Sequence, residues 1–224
     1  MKKSLVLSIL GLAAAAISTQ AQGNIAFNTY VANNTNGILT TYGSGGNAGN
    51  GIDNTFTGIL LWSTAAVAPG PGASTGTISQ LGSNPFANGL GGAATGPFAG
   101  WNIGTSGTFA SGAATAGYII APDLNLTSTQ LGGNNAHLTL FFEIVAFSGT
   151  SYGSTVGQWA GQSAGFTATL VQGNTATDAN QLNNLVPFSV YGVTSVAPVP
   201  EPSTLALAGL GGFGMLMALR RKKA

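Results

Sequence analysis

The chain contains no cysteine, and from Gln22 to Val199 it contains no lysine or arginine. The first absence excludes disulfides, thiol chemistry and cysteine-based zinc sites. The second excludes a nucleic-acid-binding body, because phosphate neutralisation and counterion release need cationic side chains. No Gly-Lys-Ser/Thr loop occurs either, so a nucleotide phosphate has nothing cationic to meet. Charge of both signs is scarce: Asp, Glu, Lys and Arg make up 5% of 224 residues, against roughly 25% in an ordinary soluble domain. All six cations (Lys2, Lys3, Arg220, Arg221, Lys222 and Lys223) stand at the two ends. The formal +1 therefore joins basic tips to a body whose acids are Asp53, Asp123, Glu143 and Asp178 and whose histidine is His137. At 44% hydrophobic residues, the chain does not fit disorder driven by charge and low hydrophobicity.

The N-terminus reads as an address. Lys2 and Lys3 precede an apolar run from Ser4 to Ile17, and small residues lead to Thr19-Gln20-Ala21. That order of charged, apolar and small regions predicts a secretory signal over residues 1–21, cleaved after Ala21 by signal peptidase. No twin-arginine pair is present, so the general secretion machinery is the expected route.

The C-terminus reads as a second address. Val199-Pro200-Glu201-Pro202-Ser203 leads into an apolar run from Thr204 to Leu219, followed by Arg220-Arg221-Lys222-Lys223. As a helix the run would reach about 24 Å, the short edge of what crosses a bilayer core. Pro202 blocks upstream extension and Ser203 suits an N-cap. The cations beyond Leu219 predict a stop-transfer cluster held in the cytoplasm, with the body outside.

These residues resemble the PEP-CTERM sorting signal of Gram-negative exported proteins, with its three parts in the same order and spacing. The resemblance implies that an exosortase in the membrane recognises Pro200, Glu201 and Pro202 and removes the tail. It makes Thr204 to Leu219 a transient inner-membrane anchor and implies a link to extracellular polysaccharide and the cell envelope. Three stretches of the body, Gly23 to Asn28, Ala146 to Tyr152 and Gly161 to Leu170, are similar to exported proteins of verrucomicrobial type that carry this tail. That similarity implies a β-rich exported domain and no particular activity.

Between the addresses about one residue in six is glycine, and no segment sustains ten residues of helical apolar periodicity. Short β-prone runs separated by Gly, Asn and Pro predict an all-β body over residues 22–193, an antiparallel, jelly-roll-like β-sandwich. The clearest strand runs from His137 to Phe147. Leu138, Leu140, Phe142, Ile144 and Ala146 fall on one face, and Thr139, Phe141, Glu143 and Val145 on the other. With both faces largely apolar it reads as central, its polar residues placed near loops or edges. Phe166 to Leu170 predicts a half-buried strand with Phe166, Ala168 and Leu170 inward. Residues 43–51 and 65–100 read as irregular, and residues 194–203 as an extended Pro-rich linker. The remaining divisions are the span 204–219 and a basic cytoplasmic tail 220–224.

The body shows little catalytic chemistry. A glycosidase needs two carboxylates across a cleft, and Asp53, Asp123 and Asp178 sit beside Asn, Gly or Pro, where turn hydrogen bonding is expected. Gly161-Gln162-Ser163-Ala164-Gly165 matches the pattern of a nucleophile elbow but precedes a strand, not a helix. Calcium bound through Asp53 or Asp178 is the one metal reading left open; no catalytic, cofactor or metal residue is assigned. The expected function is a non-enzymatic envelope or extracellular-matrix protein, found at the cell surface or released. The alternative is a carbohydrate-binding module that stacks sugars on Trp62, Trp101 or Trp159.

Overall fold

The computed structural model describes residues 23–30, 39–70, 78–79, 81, 83–112, 114–127, 130–131, 139–149, 151–172, 182 and 184–194. The signal segment with Ala21, the Pro200-Glu201-Pro202 motif, the run Thr204 to Leu219 and the cluster Arg220 to Lys223 lie outside them, as do His137 and Asp178. Among the described residues no helix is long and apolar enough to cross a membrane.

The described body is all-β. Its strands are β1 (Gly23–Ile25), β2 (Thr40–Tyr42), β3 (Phe56–Ser63), β4 (Ile78–Ser79), β5 (Asn102–Thr108), β6 (Leu124–Leu126), β7 (Thr139–Ser148), β8 (Trp159–Gln162), β9 (Phe166–Thr169), β10 (Val171–Gln172) and β11 (Phe188–Thr194). One sheet has three strands in the order β10-β1-β6. The other runs β2-β11-β8-β7-β3-β5, with β4 joined to β11 and β9 to β7.

The centre of the large sheet is the antiparallel pair β3 and β7, in register from Phe56 opposite Ser148 to Ser63 opposite Phe141. Both strands are apolar on both faces because both faces are covered. On the first face, Leu60 and Trp62 of β3, Leu140, Phe142, Ile144 and Ala146 of β7, and Phe166 and Ala168 of β9 share a core with Ile25, Leu124 and Leu126 of the small sheet. This face of β7 is the one its alternation predicts, and Leu170 also joins the core as expected.

On the second face, Ile59 and Leu61 of β3, Val145 and Phe147 of β7, Ile103 and Ala160 form another core. Its cover is chain that the sequence marks as irregular, with Phe86, Ala94 and Phe98, joined by Trp101 just past its end and Tyr152 from the turn before β8. Glycine and proline remove regular periodicity here, yet the aromatic residues between them supply a packed layer. Edge contacts within it include Phe98 on Tyr152 with ring centroids 5.1 Å apart.

One expectation is corrected. The large sheet is not wholly antiparallel, since β11 runs parallel to both β2 and β4. A period-two pattern reports which side chains share a face, not which way the neighbouring strand runs. Strands as distant in sequence as β2 and β11 are not bound by a hairpin to oppose one another.

Candidate functional site

Buried polar side chains gather beside the second core, around Glu143. Alternation along β7 points this carboxyl to the same side as Val145 and Phe147, and it is fully buried. The β-ladder brings Leu61 beside it on β3. On the other edge of β7, β9 pairs as far as Phe142 and β8 resumes at Val145, leaving Glu143 and Ile144 opposite the connection between those strands. Ser163 in that connection closes the gap: its Oγ accepts the Ile144 N–H at 2.9 Å and its own N–H reaches the Ile144 carbonyl at 2.8 Å.

A chain segment crosses over the carboxyl at Gly70. The Gly70 N–H is directed at both Glu143 oxygens, at 3.2 and 3.4 Å. Only glycine fits that crossing: a Cβ there would lie 2.3 Å from Phe98 Cε1 and 2.9 Å from Gln162 Nε2. Two residues upstream, the Ala68 carbonyl accepts the Trp101 indole N–H at 3.3 Å. The covering layer is thus tied down through Gly70 and Trp101.

Beside this crossing, Tyr152 Oη donates to Gln162 Oε1 at 2.8 Å, both groups buried. Gln162 Nε2 is also buried and has no hydrogen-bond partner among the described residues. Among the described residues no cation offsets the carboxyl, and the body between the two addresses contains no lysine or arginine. Burial pushes Glu143 from its ordinary 4.5 up to about 8, with the Gly70 N–H opposing the shift. The magnitudes account for the direction: a hydrogen bond to a charged group contributes about 1.5–3 kcal/mol, less than the several kcal/mol it costs to bury an ion. Tyr152 is raised as well, by its burial first and then by Glu143.

At neutral pH Glu143 is therefore mostly an uncharged acid sealed from solvent. Although β7 is a central strand, Glu143 does stand beside loops, facing the connection between β8 and β9 and the crossing at Gly70; its full burial is what the alternation does not reveal. The covering glycine lies 73 positions away in sequence, and no local pattern pairs the two.

The other described acids behave as turn residues. Asp53 Oδ1 accepts the Thr55 N–H at 3.0 Å and the Thr55 hydroxyl at 2.6 Å, and these bonds hold its carboxyl below the usual range. Asp123 is exposed. Among the described residues no three metal-ligating side chains of the His, Cys, Asp and Glu type gather. Ser163, the serine of the Gly161 to Gly165 pattern, is occupied with the β7 backbone and fully buried.

The tryptophan assignment is corrected at two of its three positions. Trp62 and Trp101 are 4% and 1% exposed and belong to the two cores, so neither offers a face to a sugar. Trp159 is half-buried, edge-on to Tyr42 at 5.1 Å, beside the exposed loop residues 44–50. Trp62 ends the apolar run that begins at Gly58, whereas Trp101 and Trp159 both stand among Gly, Asn and Gln, so local sequence does not separate buried Trp101 from half-buried Trp159.

Compared with known proteins, residues 198–222 match the PEP-CTERM protein-sorting motif. The match takes in Pro200, Glu201, Pro202, the run Thr204 to Leu219 and the first cations after it. No curated protein and no solved structure matches the chain.

Proposed function

We propose that this chain is a non-enzymatic protein of the cell envelope or extracellular matrix, delivered across the inner membrane and released from it by an exosortase. The observation that carries the reading is the sorting motif over residues 198–222, which marks a chain for export and exosortase processing. In this reading Thr204 to Leu219 anchors the chain transiently in the inner membrane and Arg220 to Lys223 holds the orientation. The released body then reaches the cell surface or the medium. Two sheets sharing one core support a β-sandwich passenger of jelly-roll type. Its surface, without lysine or arginine, suits contact with hydrated, uncharged polysaccharide and makes that contact insensitive to salt.

A second reading keeps the carbohydrate-binding role at Trp159 alone. Its support is the half-exposed Trp159–Tyr42 pair at the base of the Asn- and Gly-rich loop.

The sorting claim is tested by Glu201→Ala together with Pro202→Ala in the producing organism. The expected result is full-length chain accumulating in the membrane fraction while the released form disappears. Unchanged release by this variant would contradict the reading.

A further inference from the structure

We propose that Glu143 is a proton-operated latch: as a neutral acid it holds the 64–70 segment against β7, and as a carboxylate it releases that segment and opens the second core beside Trp101. The geometry supplies each part. Glu143 is fully buried at the middle of β7, and among the described residues the donor that reaches it is the Gly70 N–H, shared between its two oxygens.

An ionised carboxylate has about four lone-pair sites to satisfy, and a single shared N–H cannot replace the water it loses. Lifting Gly70 restores that water at once, because the segment lies over the carboxyl and most of residues 64–69 are already exposed. Among the described residues, the elements packed around Glu143 offer no cation to offset its charge. β3 contributes Leu61, the connection between β8 and β9 contributes Ser163, and the covering layer contributes Phe98 and Trp101. Among the described residues the titratable group coupled to Glu143 is Tyr152, which would add negative charge and not offset it. Gln162 Nε2 borders the crossing but is a neutral donor.

The segment is lightly held. It forms no strand, and its ties to the body include the Gly70 and Ala68 hydrogen bonds and the contact of Val67 with the second core. Opening can therefore be local, leaving the β3–β7 ladder in place.

The test is amide hydrogen exchange of the full-length protein in mild detergent from pH 5 to pH 10, with each rate corrected for its intrinsic pH dependence. Protection at Gly70 should fall at least tenfold between pH 7 and pH 9, while Leu60 in β3 keeps its protection. In Glu143→Gln the neutral amide still accepts the Gly70 N–H, and Gly70 protection should stay level. Three results would overturn the proposal: a flat wild-type profile, the same fall in Glu143→Gln, or a loss at Gly70 and Leu60 together. If the variant does not fold, the wild-type profiles of Gly70 and Leu60 decide alone.

Discussion

The amide of Gly70 and the carboxyl of Glu143, 73 positions apart, meet at 3.2 Å where the covering layer crosses the central strand of the large sheet. This contact joins a loop with no periodicity to the longest strand among the described residues. It also buries an acid that has no cation beside it among the described residues, in a body without lysine or arginine.

The body should lose stability as pH rises. Below about 4.5 the Glu143 carboxyl is protonated in both folded and unfolded chains; between there and about 8 the unfolded chain alone gives up its proton. The folded state then binds the excess proton, so each pH unit in that window costs up to ~1.4 kcal/mol. Above about 8 both states are ionised and the loss levels off. Denaturant titrations at pH 5, 7 and 9 should show a decline of a few kcal/mol in the wild type and a much smaller one in Glu143→Gln. Parallel curves for the two proteins would contradict this assignment.

Gly70→Ala should destabilise the body by about 1–3 kcal/mol, the range for forcing an extra carbon into a packed site. The methyl would meet the Phe98 ring and the Gln162 amide. Gly46→Ala serves as the control, because a Cβ there meets nothing within 4 Å. Thermal unfolding of the two variants should separate them by several degrees, and equal midpoints would argue against a tight crossing.

Trp101→Ala should cost about 3–5 kcal/mol, as expected for a buried tryptophan, whereas Trp159→Ala should cost less because its ring is partly in solvent. Should the second functional reading hold, Trp159→Ala would abolish retention on a polysaccharide column without unfolding the body. Retention equal to wild type would remove Trp159 from consideration.

What could be read from the sequence follows from what local patterns encode. The alternation of Leu140, Phe142, Ile144 and Ala146 identifies the inner face of β7, and Phe166, Ala168 and Leu170 do the same around β9. The turn role of Asp53 follows from its setting between Gly51 and Thr55. The tail is legible because its three parts are contiguous. The covering layer is not, since Phe86, Phe98 and Trp101 are brought over the sheet by turns that carry no repeat. For the same reason the full burial of Glu143 is not visible in its local sequence, and Trp101, between Gly100 and Asn102, looks no more buried than Trp159. The parallel course of β11 beside β2 depends on chain direction, on which side-chain alternation is silent.

The central claim concerns processing at both ends, and the intact mass of the protein released by its producing organism tests it most directly. The account predicts a chain beginning at Gln22 and lacking everything after about Pro202, together with any group transferred to the new terminus. A released protein that retains Arg220-Arg221-Lys222-Lys223 would contradict it.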